Sequence, residues 1–157
     1  KKLNNPDFTT GAFGENLAVL HMTEEDVCIG DIFQVGEAQL QVSQPRQPLW
    51  KPARRYQIID LALQIQQSGL TGWYYRVIKE GHVTGKTNMT LVERPHAGWT
   101  IARCNDIMHE RKEDLVAAQK LMELAALAPN WKRALEKRLR GRESSIEGRV
   151  YGENIDT

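Results

Sequence analysis

Apolar and polar residues alternate with a period of two along much of the first two-thirds of the chain. Residues 38–42 alternate strictly, and the apolar run Ile32–Val35 precedes them across Gly36. This pattern predicts a β-hairpin with one half-buried face. Further strands are predicted at residues 73–78, where aromatic and β-branched side chains dominate, and near Met89–Glu93.

A period near 3.6 predicts one helix within this strand-rich part. Ile58, Leu61, Ala62 and Ile65 fall on one helical face, and Gly69 stands where such a helix is expected to stop. The sequence therefore predicts a single inserted helix between the hairpin and the next strand.

The composition changes after Cys104, where good helix formers become frequent. Residues 114–127 are rich in Ala, Leu, Glu and Lys, and Pro129 is expected to end that helix. Asn130 is predicted to cap a further helix. A shorter helical turn is expected at residues 105–109. Four apolar residues of the helix after Asn130 share one face: Trp131, Ala134, Leu135 and Leu139.

These patterns predict a mainly β, barrel-like domain with an inserted helix, followed by a small helical subdomain. The expected boundaries are a β domain at residues 1–104, a helical extension at 105–142 and a tail at 143–157. The order of elements, strands first and helices afterwards, is not the alternation that predicts a parallel α/β sheet.

Composition narrows the functional classes. The 157 residues carry a formal net charge of +1, which gives no global attraction to nucleic acid or to an anionic membrane. No apolar run is long enough to span a bilayer.

Cys28 and Cys104 lack zinc-site spacing and are interpreted as packed thiols, which favours a reducing, cytoplasmic location. None of the four histidines has a partner at metal-ligand spacing, so no metal site is predicted.

The segment SQPRQPLWK, residues 43–51, places an arginine on a stiff loop. Pro45 and Pro48 bracket Arg46, and each proline fixes its own φ and restricts the residue before it. An arginine held in this way presents a planar fork of donors suited to phosphate or carboxylate. The alternative is an ordinary loop after a strand with a solvated arginine.

The segment GAFGENL, residues 11–17, places Glu15 and Asn16 at a glycine-rich turn. The two side chains supply an acceptor and a mixed donor–acceptor, which could hydrogen-bond the edge of a ring ligand. The alternative is a turn in which Glu15 and Asn16 satisfy nearby backbone groups.

Four segments together resemble the bacterial YiiM-like branch of the MOSC domain family. They occur in the family's order and approximate spacing, and the resemblance extends through the helical end of the chain. The segments are GAFGENL at residues 11–17, DVCIGD at 26–31, SQPRQP at 43–48 and TGWYYRV at 71–77.

The resemblance implies a compact, barrel-like β fold that binds the molybdenum cofactor through its pterin, molybdopterin. It further implies reduction of N-hydroxylated compounds, such as hydroxylated purines and hydroxylamines, with electrons from a flavin or iron–sulfur partner reductase. Glu15 and Asn16 match the family's pocket segment, and Arg46 matches its basic loop. Relatives carry further strands before GAFGENL, so part of the barrel is expected to be missing or supplied elsewhere. Four more positions are expected to line the same cleft: Thr71, Gly72, Tyr75 and Arg76.

Leu49 departs from the family pattern. The family has a cysteine after the proline that corresponds to Pro48, and its thiolate is a soft ligand for molybdenum. Leucine has no lone pair with which to bind a metal. Leu49 therefore occupies the position of the family's catalytic cysteine but cannot act as a metal ligand. This departure favours a first alternative, a MOSC relative that binds a ligand or partner without turnover.

A second alternative is an interaction module that uses a basic helix face near the C-terminus. Such a face could dock nucleic acid or an acidic protein, although the near-neutral charge of the whole chain argues against it. Its members are Lys132, Arg133, Lys137, Arg138, Arg140 and Arg142.

Overall fold

The computed structural model describes residues 6–152, and its centre is a four-stranded antiparallel sheet. The strand order is β3-β2-β1-β4, and within the described residues the sheet is open, with β3 and β4 at its edges. The predicted fold class, a mainly β, barrel-like domain with an inserted helix and a small helical subdomain, is confirmed in its order of elements, and the described residues form a mixed fold around an open sheet. The strands are β1 (Ile32–Val35), β2 (Ala38–Pro45), β3 (Trp73–Lys79) and β4 (Met89–Glu93).

The predicted hairpin is formed by β1 and β2, with Val35 opposite Ala38. Gly36 makes the turn at a φ of +57°, and a Cβ at this position would lie 2.5 Å from the carbonyl oxygen of His82. Only glycine meets both demands without strain. The alternating apolar residues of both strands are buried on one face of the sheet, for example Phe33 and Val42.

The inserted helical region contains two helices where the sequence predicted one. They are α1 (Trp50–Tyr56) and α2 (Leu61–Ser68), and Gly69 ends the second in the left-handed conformation, as predicted. Gln57 adopts a left-handed φ of 56° and ends α1, which leaves Ile58 in the connecting turn. A left-handed glutamine carries no sequence signal comparable to that of glycine, so the break was not visible in the pattern.

The helical end begins with α3 (Ile101–Asn105), which continues into a π-helical turn at Asp106–Glu110. The remaining helices are α4 (Leu115–Glu123), α5 (Pro129–Leu139) and α6 (Glu147–Val150). No helix within residues 6–152 is long and apolar enough to cross a membrane.

Pro129 begins a helix and does not end one. It lies in the first turn of α5, directly after the N-cap residue Ala128. Because Ala128 is the N-cap residue, the prediction that Asn130 caps this helix is wrong. Proline is well suited to that position because its missing N–H would have no partner inside the helix. The preceding helix already stops at Glu123.

One continuous apolar core joins the sheet and the helical end. The inner face of the sheet packs with buried residues of α3, α4 and α5, including Ile101, Leu121 and Trp131. Cys28 and Cys104 are buried free thiols, in agreement with the sequence interpretation. The domain boundaries at residues 104/105 and 142/143 stay predictions, and residues 153–157 of the expected tail lie outside the described residues.

The stability of the helical end is expected to depend on pH through His109. Burial lowers the pKa of this imidazole to about 4, with nearby cations acting in the same direction. In the unfolded chain the pKa is about 6.5, so the unfolded state takes up the proton first as the pH falls. We therefore expect full stability above about pH 6.5 and a loss of up to about 3 kcal/mol between pH 6.5 and 4.

Urea unfolding at several pH values measures this loss. His109→Gln should flatten the profile between pH 6.5 and 4, whereas the exposed control His82→Gln should leave it unchanged. An equally steep profile in His109→Gln would show that another group causes the acid sensitivity.

Candidate functional site

A cleft of about 400 Å³ lies between the glycine-rich N-terminal loop and the start of β3. Its walls come from three separate stretches of the chain, around residues 14–19, Arg46 and residues 71–77. Six of the eight predicted site positions line this one cleft: Glu15, Asn16, Arg46, Thr71, Gly72 and Tyr75.

The Glu15 carboxylate holds the glycine-rich loop together. It accepts hydrogen bonds from the backbone N–H groups of Gly11, at 2.5 Å, and Phe13, at 3.1 Å. Slight burial acts to raise the pKa of Glu15, but these backbone donors and the charge of Arg46 outweigh it and lower the pKa. Glu15 therefore carries a negative charge and stabilises the turn, as the alternative interpretation of this residue proposed, while also facing the cleft.

Aromatic packing fixes the same loop against α1. The hydroxyl of Tyr56 donates a hydrogen bond of 2.8 Å to the carbonyl oxygen of Ala12. The rings of Phe8 and Phe13 pack on Tyr56 with centroid distances of 5.0 and 6.0 Å. The loop is thus anchored on its side away from the cleft.

Arg46 connects the three stretches that form the cleft. Its backbone N–H donates to the carbonyl oxygen of Gly72 at 3.0 Å, which continues the pairing of β2 with the segment before β3. Its guanidinium donates to the carbonyl oxygen of Phe13 at 2.8 Å. A guanidinium has five N–H donors, so most of them are not used by this contact. Arg46 therefore both holds the loop and presents positive charge in the cleft.

Two polar side chains from outside the cleft support its Thr71–Gly72 wall. Glu24 accepts a hydrogen bond of 2.8 Å from the N–H of Gly72. Asn105, buried in α3, donates to the hydroxyl of Thr71 at 2.9 Å, and that hydroxyl donates to the carbonyl oxygen of Gly72. The helical end thus contributes to the position of the cleft wall, a role that the sequence did not indicate for Glu24 or Asn105.

Trp73 and Tyr75 bring buried polar atoms to the cleft wall. The indole Nε1 and the phenol oxygen have no hydrogen-bond partner of good geometry. Burial raises the pKa of Tyr75, although the adjacent Trp73 indole opposes the effect, so the phenol is neutral at pH 7. Both polar atoms lie beneath the surface of the wall, so Trp73 and Tyr75 border the cleft with their rings and not with these atoms.

Two predicted positions lie outside the cleft wall. Arg76 points away because neighbouring residues of a strand face opposite sides of the sheet, and its guanidinium donates to Gln41 at 3.1 Å. Leu49 is the N-cap residue of α1 and is 47% exposed. The expectation that Arg76 lines the cleft is therefore wrong, and Leu49 lies beyond Arg46 along the same loop.

The apolar part of the cleft wall was not indicated by any motif in the sequence. Leu17, Val19, Leu40 and Val77 line the cleft together with Trp73. Trp73, in the predicted aromatic strand, packs on the core and also borders the cleft. Within residues 6–152, no three His, Cys, Asp or Glu side chains come together as a possible metal site.

Comparison with protein families divides the chain into two matched parts. The MOSC domain matches residues 1–89. The YiiM-like, 3-alpha helix domain matches residues 99–142. The second match covers α3, the π-helical turn, α4 and α5.

Similar proteins occur in bacteria and in a fungus. YflK of Bacillus subtilis is 41% identical over 83% of this chain and 59% of its own length. YiiM of Escherichia coli is 37% identical over 92% of this chain and 65% of its own length. A protein of Gibberella moniliformis named as a reductase is 35% identical over 70% of this chain, but over only 20% of its own length. The chain therefore spans roughly three-fifths of the two bacterial relatives.

Solved structures of related proteins share the fold. The crystal structure of YiiM from Geobacillus stearothermophilus has a TM-score of 0.82 and 42% identity, and the match covers 84% of this chain and 68% of that one. The crystal structure of YiiM from Escherichia coli has a TM-score of 0.88 and 36% identity, over 93% of this chain and 73% of that one.

Proposed function

The chain belongs to the MOSC domain family, in its YiiM-like branch, and from that premise we propose that its cleft binds the pterin of a molybdenum cofactor. The observation that carries the proposal is the convergence of Arg46, Glu15 and Asn16 on one cleft whose wall includes the aromatic residues Trp73 and Tyr75. The volume of about 400 Å³ lies within the range of small-ligand pockets.

Each of these residues has a distinct task in the proposed complex. Arg46 would bind the anionic end of the pterin with its free guanidinium N–H groups. Asn16 and the second lone pairs of Glu15 would hydrogen-bond the ring edge, while the rings of Trp73 and Tyr75 would pack beside it. When bound, the cofactor would supply two-electron redox chemistry that side chains alone do not provide.

We further propose that the family activity is reduction of N-hydroxylated compounds, with electrons from a flavin or iron–sulfur partner reductase. The similarity to the Gibberella protein named as a reductase supports this class of reaction. A cytoplasmic location likewise stays a proposal, based on two buried free cysteines.

Arg46→Ala should weaken binding of isolated molybdenum cofactor by roughly tenfold to a hundredfold, since a hydrogen bond to a charged group contributes about 1.5–3 kcal/mol. Quenching of the intrinsic tryptophan fluorescence during cofactor titration gives the dissociation constant. Arg76→Ala is the matched control because Arg76 is a neighbouring arginine outside the cleft. Equal affinities of both variants and the original chain would contradict the assignment of the cleft.

A second candidate function, binding without turnover, is favoured by Leu49. The cleft can hold a ring ligand whether or not the chain offers a thiolate, and the leucine offers none. The two candidate functions, catalysis and binding without turnover, share the pterin site. The Arg46→Ala titration therefore tests both of them, and turnover by Leu49→Cys distinguishes between them.

A further inference from the structure

A second cavity of about 300 Å³ lies on the helical end of the molecule. It is bordered by the π-helical turn at Asp106–Glu110, by α5 and by the segment at residues 143–149. It shares no lining residue with the cleft described above. Neither the family matches nor the proposed pterin site assigns a role to it.

The walls of this cavity are strongly cationic. Five lysine and arginine side chains border it, opposed by the single carboxylate of Glu143. Charges of one sign that converge on a concave surface raise the local concentration of a counter-ion. The five cations are Lys112, Arg133, Lys137, Arg138 and Arg149.

Arg138 and Arg149 form a fixed part of the wall. Arg138 is buried and donates to the carbonyl oxygens of Ile107, at 2.8 Å, and Met108, at 2.6 Å. Arg149 donates to the carbonyl oxygen of Pro48 at 2.6 Å. Arg138 therefore does not belong to an exposed basic face, and that part of the sequence interpretation is wrong. Both guanidinium groups are held in place, and Arg149 has no carboxylate partner among the described residues.

The other three cations are held less firmly than these two arginines. Arg133 and Lys137 are exposed on α5 and make no ion pair with any residue between 6 and 152. Lys112 forms a longer ion pair with Glu143, at 3.6 Å, and shares that carboxylate with Arg138. Neutral donors from Asn130 and Ser144 border the same space.

The one carboxylate of Glu143 does not balance the five cations around His109. Burial lowers the pKa of its imidazole, and the charges of Arg149, Lys112 and Arg138 lower it further. Its Nε2 atom is buried without a hydrogen-bond partner. A neutral imidazole therefore stands among cations that outnumber their one carboxylate, and an anion would provide the missing charge.

We propose that this cavity is a binding site for a small phosphate-bearing molecule, with Lys112, Arg133 and Lys137 as the groups that contact the phosphate. A phosphate group carries up to two negative charges and several acceptor oxygens, so it matches convergent cations and hydroxyl donors better than a single carboxylate does. The cavity volume limits the ligand to a small molecule or to the phosphate end of a larger one.

Titration calorimetry with inorganic pyrophosphate at fixed ionic strength tests the proposal. The original chain should show saturable binding, and Lys112→Ala/Lys137→Ala should weaken it by at least about tenfold, because two charged contacts are lost. Lys79→Ala/Lys120→Ala removes the same charge from exposed lysines outside both cavities and should change the affinity by less than about twofold.

A second readout locates the bound anion. In NMR titrations the amide signals of Ser144 and Ser145 should shift on binding, and the pKa of His109 should rise because the added negative charge favours imidazolium. Three outcomes would overturn the proposal: no saturable binding, equal weakening by both double variants, or loss of pyrophosphate binding in Arg46→Ala alone. The last outcome would place the anion in the pterin cleft, so this test and that of the proposed function fail separately.

Discussion

Replacement of Leu49 by cysteine is expected to raise turnover of a hydroxylamine or an N-hydroxylated purine by at least about tenfold in cofactor-loaded protein. A thiolate is a soft ligand suited to molybdenum, whereas an isobutyl group offers no lone pair. Loss of groups that merely orient metal ligands already costs about 10–100-fold in affinity or activity, so a direct ligand should matter at least as much. Leu49 is 47% exposed at the start of α1, so the substitution should cost little stability.

The position of Leu49 adds a condition to this prediction. Leu49 lies outside the cleft wall and three residues after Arg46, so a cysteine at this position would hold the metal from the loop and not from the cleft wall. Leu49→Ser is the matched control because it has the size of cysteine without the thiolate. Molybdenum retained after gel filtration gives a readout independent of turnover. Equal retention and equal turnover in the cysteine and serine variants would show that no protein thiolate is needed here.

Arg94→Met is expected to destabilise the protein by about 3–5 kcal/mol, because it leaves a buried carboxylate without its counter-ion. Asp31 has no exposed surface, and Arg94 donates to its two carboxylate oxygens at 2.9 and 2.6 Å. Arg94 also donates to the carbonyl oxygen of Asp26 at 2.7 Å, which joins the segment before β1 to the end of β4.

Urea unfolding at pH 7 measures this effect against an exposed ion pair. Arg140→Met removes the surface pair with Glu136 and should cost less than about 1 kcal/mol. The double variant Asp31→Leu/Arg94→Met should recover part of the stability, since removal of both charges avoids the unpaired carboxylate. A loss no larger than that of Arg140→Met would mean that water or another donor satisfies Asp31.

Local patterns predicted the parts of the fold that depend on local physics. The period-two alternation identified the β1–β2 hairpin, and the glycine signal identified the end of α2 at Gly69. The break between α1 and α2 was missed because it depends on left-handed backbone at Gln57, which few glutamines adopt. Pro129 was assigned to the wrong end of a helix because proline both ends one helix and begins another.

The candidate site could also be predicted only in part. Motifs selected Glu15, Asn16 and Arg46, and the structure brings their side chains to one cleft. The supporting contacts of Glu24 and Asn105 span 48 and 34 residues of chain, so no local pattern could reveal them. Arg76 was included because its segment resembles the family, but the alternation of β3 turns its side chain to the other face.

The most direct test of the central claim is pterin and molybdenum analysis of the chain purified from a host that makes the cofactor. We expect near-stoichiometric pterin in the original chain and in Arg76→Ala, and a clearly lower content in Arg46→Ala. Molybdenum should follow the pterin, with firmer retention in Leu49→Cys. Absence of pterin from the original chain, or an unchanged pterin content in Arg46→Ala, would contradict the assignment of this cleft as the cofactor site.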